Sequence, residues 1–255
     1  MIVDLRQCCW PFVPLFLDLL RRPLLSFLFS VPAREVESAH GLESFRGSPI
    51  IEPWSLIDRL DLETIFGRNA PLHVDLGCGD GSFICALAER LPEKNFLGIE
   101  RLRGRIRSAA RKAAMVGNVR LLRMENSYAV RYLLPAGSAE TFYLLFPDPW
   151  PKRRHWRRRS VTAEFLRAIS EALVENGRFL IATDHLNYFQ KIEEIARASP
   201  DFTVDPPGVA DSFDLRFHDG GQAGQVRPLT KFEQQFRAQG AAIHWLELRK
   251  VASVR

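Results

Sequence analysis

Residues 71–76 (PLHVDL) form a short apolar run that passes directly into Asp75-Leu76-Gly77-Cys78-Gly79-Asp80-Gly81. A helical pattern over 82–91 follows. A strand that ends in a glycine turn and opens a helix is half of a βαβ unit, and a parallel sheet is its usual home. The rest of the chain repeats the alternation. Strands are predicted at 95–100, 118–124, 140–146 and 178–183, with helices at 102–116, 160–175 and 186–198 between or after them. Gly177 separates the 160–175 helix from its strand. Strands at 202–205 and 242–248 bring the number to seven, and helical spacing at 54–66 precedes them all. Strands and helices in alternation mean a mostly parallel sheet covered by helices on both faces.

Domain organisation follows from the same reading. Residues 54–255 form the domain, and residues 1–53 are an N-terminal extension whose part from 34 to 53 is a polar lead-in. Residues 10–33 are strongly apolar but interrupted by Asp18, Arg21 and Arg22, so no uncharged run spans a bilayer. Three readings of this segment stand open: a dispensable extension from an upstream start, a helix lying on the body or on a membrane surface, and a signal peptide. The long Gly- and Pro-containing loop at 206–228 is a functional candidate. Composition excludes other classes. With 46% hydrophobic and 25% charged residues among 255, the chain is globular. Cys8, Cys9, Cys78 and Cys85 make no CxxC pair, so no structural metal is expected. Adjacent Cys8 and Cys9 would make a strained disulfide, and the reading is a reducing, cytoplasmic setting.

The glycine loop carries a ligand, and its neighbours say which kind. A dinucleotide fingerprint needs a third glycine at position 82, where this chain has Ser82. Asp75 and Asp80 would repel a pyrophosphate. They suit a cationic ligand with no phosphate, such as S-adenosylmethionine, with Gly77, Gly79 and Gly81 letting the backbone approach it. Glu100, at the end of the second strand, can accept both ribose hydroxyls, and Asn126, with Ser127 beside it, the adenine edge. Register leaves Glu125 as an alternative to Asn126.

The reacting group is read from Phe146-Pro147-Asp148-Pro149-Trp150-Pro151-Lys152, just after the fourth strand. The prolines keep the segment out of a helix, so Asp148 can meet a base and Trp150 can stack on one. Lys152, Arg153, Arg154, His155, Arg157 and Arg158 follow, with Trp156 among them, and six of the eight residues from 152 to 159 are fixed cations. That mixture suits an RNA backbone with an exposed base. Net charge is only +5, from 35 Lys and Arg against 30 Asp and Glu, so what matters is local concentration. A second basic run carries Arg101, Arg103, Arg105, Arg107, Arg111 and Lys112 with no acid between them and is a further candidate for a polyanion, the alternative being a solvated helix face. Asp184 ends the fifth strand, and Thr230, Lys231, Phe232 and Glu233 precede the last; both places can reach a bound base. His185 reads as structural.

The segments FPDPWPKRRHWRRR, ATDH and RPLTKFEQQFRAQG resemble those of the bacterial tRNA (guanine-N7-)-methyltransferase family over about residues 68–250. The resemblance implies a Rossmann-like methyltransferase fold with an antiparallel last strand, and transfer of a methyl group from S-adenosylmethionine to N7 of guanine 46 in the tRNA variable loop. It implies cofactor contacts at Asp75, Glu100, Asn126 and Asp148, and substrate contacts at Lys152, Asp184 and Thr230 to Glu233. It implies a monomer or homodimer, no obligate protein partner and no transmembrane segment. The family usually has Glu at Asp75 and Asp-Ala at Asn126-Ser127, and residues 10–33 match nothing in it. Two rival classes remain: an exocyclic-amine methyltransferase of RNA or DNA, which would place two prolines after the acid, and a non-catalytic RNA-binding protein.

Overall fold

Strand β2 (Leu72–Leu76) is buried at all five positions, as a central parallel strand must be. The computed structural model describes residues 48–204, 208–209 and 227–252. All of these lie in one unit, Ala39–Arg255. The apolar run at 10–33, Cys8, Cys9 and most of the 206–228 loop lie outside the described residues.

Around β2 stand β3 (Asn95–Ile99), β4 (Val119–Leu122), β5 (Ala139–Leu145) and β6 (Leu173–Thr183), with β7 (Phe202–Val204) and β9 (His244–Lys250) beyond β6. Two-residue strands β1 (Ile50–Ile51) and β8 (Gly208–Val209) complete the sheet. The order is β1-β4-β3-β2-β5-β6-β9-β7, with β8 also paired to β9. Pairs from β1 to β6 are parallel; β9 runs antiparallel to β6, β7 and β8. The expected fold class holds, with seven longer strands and two short ones, at residues 50 and 208, among the described residues.

Helices cover both faces. Strand residues alternate between two apolar layers, because successive side chains point to opposite sides. Leu97, Ile99, Phe142, Leu144, Phe179 and Ile181 pack on one side with Phe165, Ile169 and Ile192 of α5 (Ala163–Ala172) and α6 (Leu186–Arg197). Phe96, Tyr143, Leu180 and Trp245 pack on the other with Phe83, Leu87, Ile106 and Ala109 of α2 (Ser82–Arg90) and α3 (Arg103–Ala113).

Three expectations change. Helical spacing at 54–66 becomes a helix only at α1 (Leu62–Phe66), because local side chains satisfy the preceding backbone instead. Ser55 Oγ accepts from Ile57 and Asp58 N, and Asp61 caps α1 by accepting from Thr64 N. The 160–175 helix stops at Ala172, since Leu173 is extended and already opens β6. Gly177 therefore lies within that strand, beside Asn176 at φ 61°, where a Cβ on Gly177 would meet Leu173 Cδ2 at 2.9 Å. A helix also appears where none was expected, at Lys231–Ala238, described below.

Candidate active site

A cleft of about 470 Å³ opens beyond the carboxyl ends of β2 to β5, where an open parallel sheet binds its ligands. Its wall includes Gly77, Glu100, Asn126, Asp148, Trp150 and Arg158, drawn from four successive strand ends.

Gly77 comes first. Its N–H and that of Cys78 both donate to Ile99 O, at 2.8 and 2.9 Å, and pin the loop to the end of β3. At φ 83° Gly77 faces Asn126, and a Cβ there would sit 3.7 Å from the Asn126 amide nitrogen. Gly81, at φ 75°, caps α2, and a Cβ on it would strike Ala109 Cβ at 2.8 Å. Of the three glycines only Gly77 is on the cleft wall; Gly79 and Gly81 shape the turn that presents it.

The acids differ in environment. Asp75, next to last in β2, is 3% exposed and not on the wall. Burial, helped by the negative charge of Glu100, pushes its carboxyl up to about 7. Glu100 is also buried but faces the cleft; Oε1 accepts from Leu102 N at 2.8 Å, and Oε2 lies 3.9 Å from Arg105. Glu125 and Asn126 both line the cleft, yet Glu125 uses its two oxygens to cap the short helix α4 (Asn126–Tyr128), accepting from Ser127 and Tyr128 N. That leaves the Asn126 amide facing Gly77. Ser127 is off the wall.

The fourth strand end is strained. Phe146 and Trp150 hold φ of 56° and 44° in the left-handed region. Such positions cost on the order of 1–3 kcal/mol each and persist only where the surroundings over-determine them. Here Phe146 N donates to Ala182 O, and Trp150 lies under the Arg158 guanidinium at 4.9 Å with His155 edge-on at 5.7 Å. Arg159 Nε donates to Pro149 O, and its guanidinium lies 4.8 Å from the Trp156 ring and 4.6 Å from that of Tyr188. The result is an exposed Asp148 on the cleft wall.

The basic run divides by role. Residues Arg153–Arg158 wind into a 3₁₀ helix that leaves Lys152, Arg153, Arg154, Arg157 and Arg158 exposed and His155 half-buried. Of these exposed cations Arg158 also lines the cleft, and Arg159 is buried beneath the loop it braces. Sequence reading treated these cations as one group. Arg101 and Arg105 of the second basic run also line the cleft, as does Ser160, which no motif singled out.

Thr230 to Glu233 open α7 (Lys231–Ala238). Thr230 Oγ1 accepts from Glu233 N, so the T-x-x-E spacing is a helix start that was legible in the sequence. Glu233 is fully buried: Arg227 donates to both its oxygens at 2.6 Å, and Arg237 also donates to Oε1. Lys231 is exposed and ion-paired to Asp80, and Phe232 is half-exposed near Phe146. Asp184 is exposed just past β6, while His185 caps α6 by accepting from Tyr188 N. None of Lys152 to Arg157, Asp184 or Thr230 to Glu233 is on the cleft wall.

S-adenosylmethionine fits these donors and acceptors. Gly77 allows close approach, Glu100 retains a carboxylate oxygen facing the cleft, and Asn126 offers an amide. Among the described residues no cluster of His, Cys, Asp and Glu is suited to a metal ion, and no helix is long and apolar enough to cross a membrane. The glycine loop, the acid after β3 and the reversed last strand define an S-adenosylmethionine-dependent methyltransferase of the Rossmann-like class.

Residues 69–246 match the family described as putative methyltransferase. A tRNA (guanine-N(7)-)-methyltransferase of Leifsonia xyli subsp. xyli is 38% identical over 194 residues, covering 74% of this chain and 81% of that protein. One from Aliivibrio fischeri is 35% identical over 76% of this chain and 78% of its own length. A longer one from Arthrobacter is 34% identical over 68% of this chain and 51% of its own length. The chain belongs to the bacterial tRNA (guanine-N7-)-methyltransferase family.

Proposed function

We propose that this chain methylates N7 of a guanine in tRNA, at position 46 of the variable loop. The observation that carries this reading is the strained Pro147-Asp148-Pro149-Trp150 loop, which sets an exposed carboxylate on the cleft wall and continues directly into five exposed cations. The relatives reported above, named for this activity, support the same reading. When bound, S-adenosylmethionine supplies an electrophilic methyl group on a cationic sulfur.

Guanine N7 has a lone pair and no proton, so the chain need not supply a general base. Its task is alignment and electrostatics. Gly77, Glu100 and Asn126 hold the donor, and Asp75, buried behind the cleft wall with its carboxyl raised to about 7, leads into the glycine loop that meets it. Asp148 orients the base and stabilises the positive charge that grows on the purine. Asp184 accepts from the base edge. Lys152, Arg153, Arg154 and Arg157 grip phosphates, with His155 at their edge, while Arg158 holds Trp150 in its stacking position. Glu233, its oxygens already taken by Arg227 and Arg237, acts through the placement of Thr230, Lys231 and Phe232.

Incubation with labelled S-adenosylmethionine and unmodified tRNA, followed by nucleoside mapping, tests the reading. N7-methylguanosine at position 46 is expected. N6-methyladenosine, or RNA binding with no methyl transfer, would overturn it.

A further inference from the structure

Helix α7 touches two loops that lie far apart in the chain. Lys231, its first residue, donates to Oδ2 of Asp80 in the glycine loop at 2.5 Å. One turn on, Phe236 lies 5.4 Å between ring centroids from Phe146, at the head of the strained loop, and Phe232 lies 6.4 Å from the same ring.

Asp80 is built into its own half of the molecule. Its Oδ1 accepts from Ser82 N at 3.2 Å, at the start of α2. Oδ2 accepts from Lys112 of α3 at 2.7 Å, and Lys112 also donates to the Asp80 carbonyl at 2.7 Å. Partial burial works against ionisation, but the hydrogen bonds from Lys112, Lys231 and Ser82 outweigh it and hold the carboxyl well below the usual range. One lysine already balances the charge of Asp80. The second, Lys231, is the tie that leaves the donor-binding half, and it reaches the helix that braces the Asp148 loop.

We propose that Asp80 and Lys231 are positioning residues that couple methyl-donor binding to the seating of α7. A ligand against Gly77 orders the loop that carries Asp80. Through Lys231 that order passes to α7, and through Phe232 and Phe236 to Phe146 and the Asp148 loop. The consequence for RNA rests on the function proposed above; the coupling of donor to helix does not. By reciprocity, RNA that seats α7 tightens donor binding by the same factor. The Lys231 end of the link is exposed, which limits the coupling to about 3–5-fold in affinity.

Amide hydrogen exchange of the full chain, with and without S-adenosylhomocysteine as probe, tests the coupling without RNA. In the unaltered chain the ligand should slow exchange at residues 77–86 and at 231–239. In Lys231→Met the first protection persists and the second is lost, while Lys231→Arg restores it. Asp80→Asn, which keeps an acceptor for Ser82 N, should behave like Lys231→Met. Equal protection of α7 in Lys231→Met and the unaltered chain overturns the proposal, as does no protection of α7 in the unaltered chain. Coupled exchange without methyl transfer to tRNA would remove the tRNA reading and leave the coupling standing; transfer without coupled exchange would do the reverse.

Discussion

The two sides of the cleft, proposed above to take the methyl donor and the substrate, are built by opposite means. On the donor side, regular parallel strands end in a glycine turn, and the acids Asp75 and Glu100 are buried. On the substrate side the backbone is strained at Phe146 and Trp150, and the working charges are exposed. A small ligand can be enclosed, so its site can use burial to strengthen a few polar groups. A large polyanion cannot be enclosed, so its site relies on exposed cations and a stiff loop.

The sharpest break comes at Asp148. Asp148→Ala should lower the rate of methyl transfer to tRNA by on the order of 10³-fold, about 4 kcal/mol of transition-state stabilisation, while the melting temperature stays close to that of the unaltered chain. Near-normal transfer would mean that the substrate side does its work without this carboxylate.

Next is Asp75, whose carboxyl stands at about 7 instead of the ordinary 3.8 because of burial and then Glu100. A raised carboxyl pKa means that the folded chain prefers the protonated form. Its contribution to stability is therefore complete below about pH 3.8 and is lost as pH rises through 7. Denaturant unfolding of the ligand-free chain should show Asp75→Asn gaining on the unaltered chain across that window, by roughly 4 kcal/mol at its upper end. The same variant should bind S-adenosylhomocysteine more weakly. Parallel pH profiles for the two chains would show that burial of this acid costs nothing.

Gly81→Ala tests the geometry of the donor loop. Its left-handed φ and the 2.8 Å approach to Ala109 predict a loss of about 2 kcal/mol in denaturant unfolding, together with weaker donor binding. Gly104, where a Cβ meets nothing within 4 Å, serves as the control for a glycine without that constraint.

The smallest effect is expected on the substrate side. Arg157→Ala should weaken tRNA binding by under about 1 kcal/mol and reduce the slope of log affinity against log salt by about 0.7. Arg159→Ala, two residues further on, should instead lower stability and transfer rate with an unchanged salt slope, because Arg159 braces Pro149 and Trp156 and is buried. Identical salt slopes for Arg157→Ala and the unaltered chain would remove the exposed 3₁₀ helix from RNA binding.

Much of the donor side was legible because its signals are local. Leu72 to Leu76 form a strand from their own run of side chains, Gly77 to Gly81 turn because no other residue takes those φ values as readily, and the alternation that follows implies a parallel sheet. Glu100 and Asn126, picked out from their places at strand ends, both lie on the cleft wall. The substrate side was legible in residue type and only partly in role. Six cations in eight positions read as a surface for a polyanion, but local pattern does not say that Arg158 also lines the cleft, that Arg159 is buried, or that Glu233 is enclosed by Arg227 and Arg237. Helix α7 had its T-x-x-E start in plain view. The helix expected over 54–66 failed because Ser55 and Asp61 satisfy the backbone more locally than a helix would.

The sequence by itself determined the parallel sheet, the glycine loop, the acid and amide at the strand ends and the aspartate held between prolines. These depend on periodicity, on backbone freedom and on position along a strand, all of which are written in neighbouring residues. Only the tertiary structure decided the protonation preference of Asp75, the division of labour within residues 152–159, and the tie from Asp80 to Lys231. Each of these turns on how deeply a charge is buried and which distant group lies within hydrogen-bond reach, and both are settled when 151 positions of chain close into one contact.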